Sequence, residues 1–74
     1  MARKDDPVKA FSVLLKRLRI EHGMTQEGLG AELGVDRAYI SQLERGLKNP
    51  SLVTLCRLAK VLNTQVAFAG HELA

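Results

Sequence analysis

Two residues, Gly34-Val35, separate two short stretches that carry helical signals, and this spacing limits the fold more than any other feature of the chain. Upstream, Thr25 is a helix-capping residue, and Leu29 and Leu33 recur at helical spacing. Downstream, Asp36 is a second cap, followed by Ile40 and Leu43 on one side. A turn this short forces the two helices to cross steeply. Leu29, Leu33, Val35, Ile40 and Leu43 then pack under the corner. Gly30 faces the crossing, where a small residue lets the second helix approach closely. The predicted product is a rigid elbow holding up a helix with a polar outer face of Ala38, Ser41, Gln42 and Arg45. Such a helix fits the major groove of B-form DNA, about 12 Å wide.

The same punctuation organises the rest. Asp6-Pro7 starts a first helix, since the Asp side chain accepts from free first-turn amides and Pro has none to lose there. Val8, Phe11, Leu15, Leu18 and His22 recur on one face of it, while Lys9, Lys16 and Arg17 fall away, and Gly23 ends it. On the helix begun by Asp36, Leu47 extends the apolar side and Gly46 is the stop. Asn49-Pro50 marks a turn, Ser51 caps a further helix, and Leu52, Leu55, Leu58, Ala59 and Leu62 form its core stripe. After Asn63 the period changes: Thr64, Val66 and Phe68 alternate with Gln65, Ala67 and Ala69, which reads as a short strand, with a short fifth helix as the competitor. The expected fold is an all-α compact bundle of four to five helices, with a short C-terminal strand. Residues 1–5 read as a loose arm, 6–63 as the domain and 64–74 as a tail.

Composition narrows the function. Seventy-four residues, 46% of them hydrophobic, make one small globular domain. Eleven Lys and Arg against eight acidic residues tilt the chain toward an anionic partner. Aromatics are 4% with no Trp, too few for the stacking platforms that bind single-stranded nucleic acid. The single cysteine, Cys56, excludes an internal disulfide, reads as a small core residue, and suits a reducing cytoplasm. No apolar run is long enough for a signal peptide or a membrane span. His22 and His71 have no paired ligands at metal-binding spacing, and His22 is placed to meet carbonyls at the end of the first helix. No paired carboxylates or nucleophile–base pair suggest a reaction. The expectation is therefore a non-enzyme without metal or cofactor.

Several separated motifs carry a resemblance. Thr25-Gln26-Glu27, the small residue Gly30, the Gly34-Val35 turn, Tyr39-Ile40-Ser41-Gln42-Leu43-Glu44-Arg45-Gly46 and Asn49-Pro50-Ser51-Leu52 together resemble the Cro/repressor helix-turn-helix family, sometimes named for the xenobiotic response element regulators. The similarity spans residues 11–62. It implies a repressor-like bundle that binds operator DNA as a two-fold dimer. It also implies roles for individual residues. Gln26 would contact phosphate and brace the recognition helix. Arg37, Ala38, Ser41 and Gln42 would face base edges, while Arg45, Lys48 and Asn49 would reach the backbone. Tyr39 would cover the core edge and offer its hydroxyl to phosphate. Arg19 and Glu44 would form a partly buried ion pair tying the first helix to the third. Side-chain chemistry agrees with the base contacts: Arg bonds two guanine acceptors, Gln pairs with adenine, and a methyl group meets that of thymine. A polar helix face is by itself commonly just a solvated one; the family spacing is what favours base readout.

The chain departs from the family pattern in places. Gly28 and Gly30 lie within the second helix, Asn63 replaces a customary glycine, and the tail lacks the common fifth-helix pattern. Leftover apolar residues Val61, Val66 and Phe68 suggest a homodimer interface built from the fourth helix and the tail, and Val13 and Ile20 lie on the outer face of the first helix. The functional expectation is a transcriptional regulator, a repressor of the stand-alone controller or phage type acting on double-stranded operator DNA. The alternative is an antitoxin that binds a toxin and represses its own operon.

Overall fold

Each helix starts at the cap the sequence supplies. In the computed structural model, which describes residues 6–63, 67–68 and 71–72, the Asp6 carboxylate accepts from the Val8 and Lys9 amides at the head of α1 (Pro7–Glu21). The Thr25 hydroxyl accepts from Gly28 N at 2.9 Å to start α2 (Gln26–Leu33). Asp36 accepts from Tyr39 N at 2.8 Å to start α3 (Arg37–Glu44), and Ser51 accepts from Thr54 N at 3.1 Å to start α4 (Leu52–Val61). Each cap satisfies an amide the helix itself leaves unpaired and contributes about 1 kcal/mol.

The helix ends repeat one device. After α2, Val35 N donates to Gly30 O at 2.9 Å and Gly34 N to Ala31 O at 3.3 Å. After α3, Leu47 N donates to Gln42 O at 2.9 Å and Gly46 N to Leu43 O at 3.2 Å. This pair of bonds requires a left-handed residue just past the helix, and Gly34 (φ +74°) and Gly46 (φ +73°) supply it without a steric penalty. Asn63 takes the same region at φ +48° after α4.

Packing follows from these turns. α2 and α3 lie against each other across the Gly34-Val35 corner, α1 covers α3, and α4 closes against α2. The core cluster is Leu15 of α1, Leu29 and Leu33 of α2, Ile40 and Leu43 of α3, and Leu58 and Leu62 at the end of α4. Leu29, Ile40 and Leu43 are completely buried. Each such side chain contributes about 1.5–3 kcal/mol by leaving water, so the burial is concentrated directly beneath the corner. Phe11, Leu18, Met24, Val35, Tyr39 and Val61 flank this cluster.

The sequence expectations need correction at several positions. Leu52, expected in the α4 core stripe, is exposed; it occupies the first turn, before the helix reaches the core. Leu47, expected on the apolar side of the third helix, is also exposed, because the chain has already reversed at Gly46. His22, expected on the apolar face of the first helix, lies beyond the end of α1 and is exposed, while the expected contact with a terminal carbonyl is made, Nδ1 to Leu18 O at 2.9 Å. Apart from these corrections, Val61 is half-buried and packs beside this chain's own core. Beyond α4, Ala67–Phe68 (β1) pairs antiparallel with His71–Glu72 (β2), matching Ala67 to Glu72 and Phe68 to His71. The strand expected within the tail is thus short and its partner belongs to the same chain. Val66 and the 1–5 arm lie outside the described residues, as does the side chain of Phe68.

Candidate nucleic-acid interface

The third helix divides cleanly into two sides. At about 100° per residue, Arg37, Ala38, Ser41, Gln42 and Arg45 fall within an arc of about 140°. Ile40 and Leu43 occupy the opposite side and are wholly buried, which fixes the helix against rotation. Arg37, Ala38 and Arg45 are exposed, and Ser41 and Gln42 are half-buried. The outward arc therefore presents two guanidinium groups, a methyl, a hydroxyl and an amide on a helix that cannot turn away. Arg45 is the C-cap residue of α3, so its charge sits at the negative end of the helix dipole.

Lys48 and Asn49, in the loop after α3, are both exposed. The Lys48 ammonium lies 5.8 Å from the centre of the Tyr39 ring, within cation–π range. Tyr39 is half-buried with its ring against the core. The aromatic ring thus links the buried side of α3 to the basic loop that follows it. The Asp36 carboxylate at the other end of α3 is engaged as a cap.

Beneath this surface, three helices meet at one carboxylate. Arg19 Nε donates to Glu44 Oε2 at 2.6 Å and Arg19 Nη2 donates to Glu44 Oε1 at 3.1 Å, a two-pronged pair. The Arg19 and Glu44 side chains are 11% and 3% exposed, so the pair is shielded from solvent on both sides. Arg19 Nη1 donates to Met24 O at 2.8 Å, which pins the loop leading into α2. Gln26 Nε2 donates to Glu44 Oε1 at 3.2 Å. The hydrogen bond to Glu44 raises the Arg19 pKa above its ordinary value; desolvation opposes this and Coulomb attraction to the same carboxylate adds to it. Arg19 is therefore a permanent cation holding the end of α3 against α1.

The residues singled out in the sequence separate into three groups. Arg37, Ala38, Ser41, Gln42 and Arg45 share the outer face of α3, and Lys48 and Asn49 continue from its end. Gln26, Arg19 and Glu44 are joined in one hydrogen-bonded cluster. Val61 is apart from both, on α4. Ser12 was not anticipated. It is buried on α1, and its hydroxyl donates to Lys9 O at 2.8 Å, so it places a small, satisfied polar residue opposite Gly46. A buried serine satisfied by its own helix leaves no periodic signal in a sequence. Cys56 is half-buried on α4. Among the described residues, no three His, Cys, Asp or Glu side chains are placed to hold a metal ion, and no helix is long and apolar enough to cross a membrane.

Comparison with known proteins places this arrangement among similar ones. The family model described as helix-turn-helix, HTH_3, matches residues 15–68. A helix-turn-helix-type transcriptional regulator of Sinorhizobium fredii is 50% identical over 46 residues, covering 62% of this chain and 60% of that relative's length. The restriction-modification controller protein C.AhdI from Aeromonas hydrophila superposes with a TM-score of 0.73 at 38% identity, over 77% of this chain and 83% of the other. The controller protein C.Esp1396I, solved as a tetramer in complex with its natural 35 base-pair operator, gives a TM-score of 0.70 at 37% identity, over 77% of this chain and 75% of the other.

Proposed function

The chain belongs to the helix-turn-helix family, and from that premise we propose that it is a sequence-specific regulator of transcription of the Cro/repressor type, binding double-stranded operator DNA as a homodimer. The observation that carries the reading is the two-sided third helix: Ile40 and Leu43 lock its inner side while Arg37, Ala38, Ser41 and Gln42 form its outer one. In this reading α3 enters the major groove. Arg37 reads guanine acceptors, Gln42 reads adenine, and the Ala38 methyl sits against thymine or makes room for its neighbours. Gln26, Tyr39, Arg45, Lys48 and Asn49 fix the protein on the phosphate backbone, which sets register without reading sequence.

A homodimer would present two such helices to successive major grooves about 34 Å apart, so the operator would be nearly palindromic. The operator-bound assembly of a similar controller protein supports both the DNA partner and self-association. Repression then needs no further domain, because an occupied site excludes other proteins from it. Binding should weaken steeply with salt as the basic side chains release counterions from the duplex.

Selection of bound duplexes from random-sequence DNA, at a fixed and stated salt concentration, tests the proposal. Recovery of a near-palindromic consensus is the expected result. Recovery of no consensus, with affinity indifferent to sequence, would reject sequence-specific regulation.

A further inference from the structure

The Glu44 carboxylate has more partners than an ion pair requires. Arg19 takes both of its oxygens, and Gln26 Nε2 donates to Oε1 as well. A carboxylate only accepts, so the Gln26 nitrogen must face it, and this fixes which way round the amide sits. One N–H of the amide is engaged; the other, with the carbonyl oxygen, has no partner among the described residues. Gln26 is the first residue of α2, where main-chain amides are also unpaired, and it is half-buried.

A bare carboxylate this close to a phosphate contact would repel the phosphate. Here its charge is matched by Arg19, and at 3% exposure it is screened from the surface. Arg19 adds a second restraint by holding Met24 O, two residues before Gln26. The start of α2 is thus held through main chain and side chain by the same pair.

We propose that Glu44 is a positioning residue for DNA binding: neutralised by Arg19, it presets the Gln26 side chain so that its remaining N–H meets a backbone phosphate without an ordering cost. This rests on the reading of the chain as a duplex DNA binder. Preordering favours the contact because a free glutamine side chain loses rotamer freedom when it is immobilised at an interface.

The test is a double-substitution cycle on DNA affinity, using a duplex recovered from the random-sequence selection. Wild type, Gln26→Ala, Glu44→Gln and the double variant are titrated at one salt concentration. In Glu44→Gln the amide oxygen stays on the shorter Arg19 Nε bond, and its NH2 faces Gln26, whose amide must invert to accept from it and so loses the preset orientation. Glu44→Gln is expected to weaken binding about fivefold when Gln26 is present and less than about twofold when it is replaced by Ala, as for directly coupled residues. Equal losses in both backgrounds would overturn the assignment, since a purely structural pair acts regardless of Gln26.

Should Glu44→Gln not fold, NMR relaxation of the Gln26 side-chain amide in the free wild-type protein decides instead. An amide as ordered as rigid backbone, with an order parameter of about 0.85, is expected; one below about 0.6 would overturn the proposal. Failure of the wild type to bind any duplex would strike the proposed function itself, a result distinct from both.

Discussion

A β-carbon at Gly30 would come within 2.7 Å of the Val35 carbonyl oxygen and 3.3 Å of the Asp36 carbonyl group, so the helical corner is closed over bare backbone. The opposing atoms belong to the main chain of the turn and cannot swing aside as a side chain could. Gly30→Ala should therefore destabilise the fold by about 1–3 kcal/mol, the range for overpacking a tight contact, despite the better helix propensity of alanine. At Gly28 the added carbon would meet the Thr25 hydroxyl at 3.1 Å, the end of a side chain that can shift. Gly28→Ala should stay within about 1 kcal/mol of neutral, because the helix-propensity gain of alanine is offset by any loosening of the Thr25 cap. Urea melts of the two variants check the contrast; equal destabilisation of both would contradict it.

Removing one member of the Arg19–Glu44 pair leaves a shielded charge without its partner. Arg19→Ala or Glu44→Ala should each cost about 3–5 kcal/mol, as for a buried ion pair broken on one side. Replacing both at once, with Arg19→Met and Glu44→Leu, should cost less than either single change, because no charge is stranded. Thermal unfolding of the three variants tests the ordering.

Base readers and phosphate contacts should separate by the kind of loss they cause. Arg37→Ala should lose about 1–3 kcal/mol of binding and relax the preference at one base pair of the operator. Lys48→Ala should weaken all sequences alike and reduce the salt slope by about one. Titrations against a panel of single-base operator variants at two salt concentrations measure both. An unchanged ranking of the panel in Arg37→Ala would show that Arg37 is not a reader.

The proposed self-association makes a separate demand on residues 64–74. A chain ending at Asn63 keeps every described member of the core cluster, of which Leu62 is the last. Truncation should leave a folded monomer with weaker operator binding, read by sedimentation and by titration. A truncated chain that sediments as the same dimer would place the interface elsewhere.

Much of the fold was legible because its punctuation is local. Asp6, Thr25, Asp36 and Ser51 cap the helices that follow them, and Gly23, Gly34 and Gly46 take positive φ beyond the helices that precede them. Leu29, Leu33, Ile40 and Leu43 were readable as core because helical spacing put them on the inner side of the corner. Leu47 and Leu52 were misread for the same local reason. Periodicity extends a stripe through a helix end, but Gly46 reverses the chain before Leu47, and Leu52 lies on a first turn that has not yet reached the core. The outer face of α3 was visible as a polar arc, and the family resemblance gave its residues their roles. The bond from Gln26 to Glu44 joins positions 18 apart on different helices, which no spacing rule connects; the family resemblance implied only that Gln26 braces the recognition helix, not which residue it meets. Its existence depends on how α2 and α3 pack, and that is a property of the folded chain alone.

NMR titration of the labelled protein with the selected operator duplex tests the central claim most directly. The account predicts the largest amide and side-chain shifts over Arg37–Arg45 and at Gln26, with the buried Ile40 and Leu43 side chains little affected. Shifts confined to the outer face of α1 or to α4, with α3 unchanged, would contradict it.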